Sequence, residues 1–427
     1  MTERPPSSAR RREILAWAVY DVGNSAFTTL IVTFIYSAYF TQAIADDPDR
    51  GAIFWSRAVN LSALAVVILS PIAGAMADLS GRKKRFLMGA TLLCIVPTAL
   101  LFFPHRGDVM AALILFAIAN VGFEAGYVFY NAFLPEVSTR DTIGRVSGLG
   151  QGLGYFGGLA CLVLALGMVR GWVPSAGDLH VRSTNLLVAA WFALFAVPLF
   201  LIVRERPPAA AAGPAPPLSE IVRIAFRRVV GTVRHLKGYR EAAKLIVARM
   251  IYNDGLVTIF SFASIFAAAT FGLTTEQLIV FGIAINVVSG VGSFLLGPVT
   301  DRIGGKRTIL ITLVVLIAAT ILGATARSLP VFWVSALLLG AMVGPNQAAS
   351  RSLLALLTPE EKHAEFFGFF AFSGKLASVL GPLLYGIVLE ITRSQRAAMA
   401  SILVFFVAGM AVLITVRDPV RPRRREG

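Results

Sequence analysis

Apolar residues in this chain gather into long unbroken runs, not into the short alternations of half-buried strands. The runs lie near 14–41, 53–77, 86–104, 109–134, 145–170, 185–203, 244–271, 276–300, 308–326, 329–357, 365–391 and 396–416. Each holds about 18 to 28 residues, which at 1.5 Å per residue is enough to cross a hydrocarbon core about 30 Å thick. The pattern predicts an all-α polytopic membrane protein with about twelve transmembrane helices.

One region interrupts the pattern. Residues 204–243 carry Arg204-Glu205-Arg206, the Pro/Ala stretch PPAAAAGPAPP at 207–217, and then a basic segment. In that segment Leu218, Val222, Ala225, Phe226, Val229, Val233 and Leu236 share one helical face, and Glu220, Arg223, Arg227 and Arg234 share another. Such a helix is expected to lie in a headgroup layer. The expected organisation is a six-helix bundle over 1–203, a cytoplasmic linker with an amphipathic helix over 204–243, a second six-helix bundle over 244–416, and a basic tail over 417–427.

The two halves repeat each other. Ser70-x3-Gly74-x3-Asp78-x2-Gly81 at the end of the second run recurs as Ser293-x3-Gly297-x3-Asp301-x2-Gly304 at the end of the eighth, and cations follow each copy. Gly368 and Gly374 echo Gly148 and Gly154, and Asn346 loosely echoes Asn131. Duplication of six helices into two pseudo-symmetric bundles accounts for the repeat.

Polar residues inside the runs are placed by helical period. In YDVGNSAF of the first run, Asp21, Asn24, Ser25 and Thr28 form one stripe. Asn120, Glu124, Tyr127 and Asn131 align on the fourth run, Ser147, Gln151 and Tyr155 on the fifth, and Asp254, Thr258 and Ser261 on the seventh, beside Asn253. The tenth run carries Asn346, Gln347, Ser350 and Arg351. An ionised group at mid-membrane costs about 3 kcal/mol on insertion scales, so these side chains are expected to face something other than lipid. The charges nearly balance, Asp21, Glu124 and Asp254 against Arg249, Arg351 and Lys375. Paired, they would hold one conformation and release it when a solute or a proton replaces a partner. A fixed structural ion pair is the alternative, and Arg249, near a helix start, is also placed to snorkel to the interface.

The loop GAMADLSGRKK, with Gly74, Asp78, Gly81 and Arg82, resembles the motif that follows the second helix of the major facilitator superfamily. GPVTDRIGGKR, with Gly297, Asp301, Arg302 and Gly304, resembles its second copy. Leu79 stands where an arginine is usual. Within that superfamily YDVGNSAF, FYNAFLPE at 129–136, YNDG at 252–255, and GPNQAASRSLLALL with AEFFGFFAFSGK at 344–375 resemble the vacuole-effluxer, autophagy-related branch. The resemblance implies a central cavity lined by the first, fourth, seventh and tenth helices. It implies substrate-binding or coupling roles for Asp21, Asn24, Thr28, Glu124, Tyr127, Asn131, Gln151, Asn253, Asp254, Thr258, Asn346, Gln347, Arg351 and Lys375. It implies a gate at Gly74, Asp78, Gly81, Arg82, Gly297, Asp301, Arg302 and Gly304, where each aspartate caps a helix of the opposite half. The substrate it suggests is amino acids, moved by alternating access. A carrier of drug-like or other organic cations and a receptor built on the same fold stay open. Glu124, set between Phe123 and Tyr127, is the candidate proton site. Gly150-x3-Gly154-x3-Gly158 is similar to the superfamily's antiporter motif, but Tyr155 replaces its proline, so exchange is not inferred. Gly381-Pro382 predicts a kink.

Composition fits a membrane chain: 56% of the 427 residues are hydrophobic and 15% charged, with mean hydropathy +0.73. The net charge of +15 is confined to alternate loops, with roughly 28 Lys/Arg on the side of both termini and about 8 on the other. That bias excludes a nucleic-acid surface and places both termini in the cytoplasm of a cell (inner) membrane protein. Arg10-Arg11-Arg12 precedes a run too long for a signal peptide, so that run is read as the first membrane helix. Cys94 and Cys161 fall inside apolar runs, and His105, His180, His235 and His363 lie in or beside loops with no shared face, so no metal and no cofactor is expected. No GxxxxGK[ST], HExxH or GxSxG occurs, so the expectation is a carrier and not an enzyme, acting as a monomer with a small-molecule substrate, a proton or other coupling ion, and the bilayer as partners.

Overall fold

A computed structural model describes residues 7–205, 218–376 and 380–419, so the Pro/Ala stretch 207–217 and most of the basic tail lie outside the described residues. Among the described residues there is helix and no strand. Twelve helices follow the apolar runs: α1 (Arg10–Ile44), α2 (Pro48–Ser80), α3 (Lys83–Leu100), α4 (Val109–Val137), α5 (Ile143–Trp172) and α6 (Ala176–Ile202), then α7 (Arg240–Phe271), α8 (Glu276–Ile303), α9 (Gly305–Thr325), α10 (Leu329–Leu357), α11 (Glu360–Thr392) and α12 (Gln395–Ile414). Eleven of them are long and apolar enough to cross a membrane. The twelfth, α3, begins with Lys83-Lys84-Arg85, which dilutes its apolar character. Its 18 residues still pack between α4 and α6. On α2, Leu61, Leu64 and Ile68 share a face and are 65%, 56% and 58% exposed. Such a stripe needs hydrocarbon around it.

Several helices run past the limits that hydropathy alone sets. Asp47 caps α2 by accepting from the Arg50 N–H at 2.8 Å, and Gly81, at φ +60°, ends it. The start of α6 holds Arg182, whose Nε donates to the Phe102 carbonyl at 2.7 Å while the guanidinium lies 4.7 Å from the Phe102 ring. Satisfied in this way, a cation sits within a helix that a purely apolar criterion starts later. In α1 the turns Phe27–Phe34 and Phe40–Ile44 widen to π geometry. There the Thr28 and Thr29 hydroxyls both donate to the Ser25 carbonyl, at 3.1 and 2.8 Å, the back-bonding that loosens regular helix. The expected kink at Gly381-Pro382 adjoins positions 377–379, which are outside the described residues.

Helix α1 packs on α5 and α6, α2 on α4, and α3 on α4 and α6. In the second set α7 packs on α12, α8 on α10, and α9 on α10 and α12. The sets meet along two seams, α2 against α11 and α5 against α8. The linker helix Leu218–Arg234 lies on α2 at the end of the molecule that also carries the α2–α3 and α8–α9 turns, here termed the linker face.

Both seams are glycine contacts. A methyl group on Gly74 would stand 2.1 Å from the Ala364 carbonyl oxygen, and one on Gly368 2.4 Å from that of Ser70. Across the other seam, Gly148 would meet the Ser293 carbonyl at 2.4 Å. The Ser70 hydroxyl donates to the Gly368 carbonyl at 3.1 Å. The repeated serine and glycines therefore exist so that backbones can touch. Gly74→Ala is expected to destabilise the detergent-solubilised protein by about 1–3 kcal/mol, whereas Gly89→Ala, with no atom within 4 Å, raises stability slightly through helix propensity. Equal melting shifts for the two variants would refute this account of the seam.

Candidate functional site

A cavity of about 850 Å³ opens between the two helix sets. It extends along Thr33, Phe34 and Ile35 of α1, Ile279 to Ile285 of α8, and Phe332 to Leu339 of α10, toward the face opposite the linker face. Of the residues expected to bind solute, Asp21, Asn24, Thr28, Tyr127, Gln151, Asn253 and Gln347 line it. The floor is a bridge between the halves: Gln151 Nε2 of α5 donates to Gln347 Oε1 of α10 at 3.1 Å.

Asp21 is the one carboxylate among the lining residues, and no lysine, arginine or histidine is among them. Beside it, Asn24 Oδ1 is buried and accepts no hydrogen bond among the described residues. Buried acceptors are rarely left so, and one in a cavity wall marks a place for a donor. Phe123, Tyr127 and Tyr155 add aromatic faces to the same wall.

Arg351 is not in the lining. It lies beyond the floor, 1% exposed, and ties α10 to the first half. Its Nε donates to Ser147 Oγ at 2.9 Å, its Nη2 to the Ser147 carbonyl at 2.7 Å, and its Nη1 to Asn131 Oδ1 at 3.0 Å. Trp17 and Tyr130, stacked on each other, lie beside the guanidinium with ring centroids 5.3 and 5.8 Å away. All its direct ligands are neutral oxygens. The expectation that Arg351 pairs with an intramembrane carboxylate is corrected: a planar fork with several donors finds enough carbonyl and hydroxyl acceptors here without one.

Six other expected residues are not in the lining, Asn131 among them, which holds Arg351. Asp254, 2% exposed, accepts from the Gly381 N–H of α11 at 2.8 Å. A backbone donor, in place of the expected ion pair, is thus its partner. Thr258 donates to the Asp254 carbonyl at 2.7 Å. Asn346 donates to Thr312 of α9 at 2.9 Å, within the second half. Glu124 and Lys375 form an ion pair from α4 to α11, outside the cavity lining. Arg249 does not snorkel; it turns inward, donating to the Phe370 carbonyl at 2.9 Å and stacking 3.6 Å over the Phe370 ring.

The linker face is closed by reciprocal contacts. Asp78 Oδ2 accepts from the Glu365 N–H at 2.9 Å, at the start of α11. Asp301 accepts from the Gly144 and Arg145 N–H groups at 2.7 and 3.2 Å, at the start of α5, and from Arg145 Nε at 2.7 Å. Each carboxylate sits at the positive end of a helix in the other half. The side-chain cations at the two carboxylates are Lys83 and Arg145. Lys83 lies 3.5 Å from Asp78 and 3.1 Å from Glu136, and Arg145 serves Asp301, while Arg82 and Arg302 are exposed. Gly81 and Gly304, at φ +60° and +97°, turn the chain sharply, so Lys83, one residue into the next helix, folds back on Asp78. Lys83, Glu136, Arg145, Ser147 and Glu365 thus join the expected set. Ser147 lay in a polar stripe and Lys83, Glu136 and Glu365 inside quoted motifs, but Arg145 carried no sequence signal. Arg351→Lys is expected to lower stability by about 1.5–3 kcal/mol, since one ammonium cannot reach Ser147 and Asn131 together. An unchanged melting temperature in detergent would contradict the geometry.

The family described as "Vacuole effluxer Atg22 like" matches residues 9–424. An uncharacterized MFS-type transporter, YxiO of Bacillus subtilis (strain 168), is 27% identical over 410 residues, which cover 94% of each chain. Autophagy-related protein 22 of Yarrowia lipolytica is 24% identical over 344 residues, covering 73% of this chain and 56% of its own length. Among solved structures, the human organic anion transporter MFSD10 (TETRAN) superposes with TM-score 0.74 at 14% identity, covering 96% of this chain and 100% of that one. The FucP transporter in the outward conformation superposes with TM-score 0.75 at 14% identity, covering 96% and 98%. With the repeated seam motifs, the twelve helices and the family match in one chain, this protein belongs to the vacuole effluxer Atg22-like family and has the major facilitator transporter fold.

Proposed function

We propose that the chain is a secondary active carrier for a small solute bearing an ammonium group, foremost an amino acid, moved by alternating access. The observation that carries this reading is the acceptor-rich end of the cavity. Asp21 and Asn24 line a void with no cationic lining residue, and the Asn24 Oδ1, buried in its wall, accepts no hydrogen bond among the described residues. A charge-assisted hydrogen bond from an ammonium suits the pair, and the amides of Gln151, Asn253 and Gln347 remain for a carboxylate. A cavity that offers acid and base together was the expectation. Here the cation nearest the floor, Arg351, lies on its other side, and would meet the solute once the Gln151–Gln347 bridge parts. The matched family is described as a vacuole effluxer, which fits release of a small solute from a compartment.

The same wall favours a second reading. With Asp21 as the one carboxylate and Phe123, Tyr127 and Tyr155 beside it, a larger organic cation would also be held, by charge and by aromatic faces. A thermal-shift screen of the purified protein against amino acids, amines and cationic drugs separates the two.

In this reading the Glu124–Lys375 pair provides proton coupling. It joins α4 to α11 across the halves, so protonating Glu124 would release Lys375 and loosen the contact. We further propose that the protein acts as a monomer with the linker face and both termini in the cytoplasm, as the distribution of Lys and Arg favours.

Asp21→Asn is expected to cut uptake into proteoliposomes by roughly tenfold or more while leaving the melting temperature near that of the parent. Full uptake by that variant would sink the assignment. Glu124→Gln is expected to transport without response to an imposed pH gradient, and a parental response would exclude Glu124 as the coupling site.

A further inference from the structure

The linker helix Leu218–Arg234 touches both sides of the α2/α11 seam. It packs on α2, and its Arg228 reaches across to α11. Arg228 Nε donates to Glu365 Oε2 at 2.9 Å and Nη2 donates to the Glu361 carbonyl. Lys362 Nζ of α11 donates back to Thr232 Oγ1 at 2.6 Å. The Glu365 side chain is 0% exposed, and the N–H of the same residue is the group that Asp78 holds. Opening the linker face requires α2 and α11 to part. The helix must then let go of one of them.

Its remaining surface has two flanks. With Ala225, Arg228 and Thr232 turned to the protein, Val222, Phe226 and Val233 are exposed along one side, Phe226 by 56%. Arg223, Arg227 and Arg234 form an exposed row beside them. Arg223 lies 3.8 Å from Glu220, an exposed contact that leaves the row strongly positive. An apolar strip next to three guanidinium groups, at the end of a membrane-spanning bundle, matches an anionic headgroup layer. The apolar side chains enter the acyl boundary and the guanidinium groups meet phosphates.

We infer that an anionic lipid surface is the partner of this helix, and that by seating the helix it clasps α2 to α11 and holds the linker face closed. The lipid has a differential effect because the docked helix bridges the seam only in the closed state. Its consequence for transport rests on the carrier reading above, but the clasp itself is measured without transport.

The test uses the full chain with Cys94 and Cys161 replaced by serine and spin labels on Ser80→Cys and Glu360→Cys, at the linker-face ends of α2 and α11. Distances are compared in vesicles of phosphatidylcholine alone and with added phosphatidylglycerol. Phosphatidylglycerol is expected to raise the ratio of short to long distances roughly tenfold. The triple variant R223Q/R227Q/R234Q changes only exposed side chains and should fold as the parent; it is expected to need about a hundredfold more anionic lipid, at about fivefold per arginine. Arg228→Gln should still bind the vesicles through its outer face yet lose the distance response. Identical distance distributions in the two lipid mixtures for the parent would overturn the inference, as would a parental lipid response in the triple variant.

Discussion

Two carboxylates, each set against the first turn of a helix in the opposite half, govern the conformation of this molecule. Asp78 holds the start of α11 and Asp301 the start of α5. The free N–H groups of a helix start and the positive end of its dipole attract a carboxylate whatever side chains surround them. The contact therefore needs only backbone from its partner, and it forms only when the seams are shut. The glycines of the same repeat let the backbones come close enough, with Gly74 against Ala364 and Gly148 against Ser293. Capping and close approach are one device, duplicated with the gene halves.

Above this closed end the cavity is open and asymmetric in charge. Its wall offers Asp21 and the Asn24 carbonyl, and beyond the Gln151–Gln347 floor lies Arg351, tied to Ser147 and Asn131. All three Arg351 contacts cross from one half to the other. They stabilise the same state as the two aspartates, so parting the halves would free the arginine at the moment the floor opens. A solute with an ammonium at one end and an acceptor at the other would meet complementary groups in succession along the path.

Hydropathy made the helices legible, and the Ser-Gly-Asp-Gly repeat made the pseudo-symmetry and the capping aspartates legible. Helical period correctly grouped Asp21, Asn24 and Thr28, since a face can be read from spacing. It could not tell whether a face meets the cavity, a neighbouring helix or another half. Asp254 and Asn346 share stripes with plausible lining residues but are consumed by Gly381 and Thr312. Arg145 and Glu365 were illegible because their roles are set by chain segments far away in sequence, and Lys83 because the turn at Gly81 that folds it back on Asp78 is not visible in the pattern. Arg228 sits on the protein-facing side of the linker helix, beside Ala225, where amphipathic patterning gives a cation no reason to be. Its reason is Glu365, 137 residues on.

Accessibility of the cavity floor tests the central claim most directly. A single cysteine at Gln347, in a chain lacking Cys94 and Cys161, is exposed in sealed vesicles to a membrane-impermeant thiol reagent applied from each face in turn. With Asp78 and Asp301 intact, labelling should come from the face opposite the linker helix; with both changed to asparagine, labelling from the linker face should rise. Unaltered labelling from the linker face in the double variant would contradict the account.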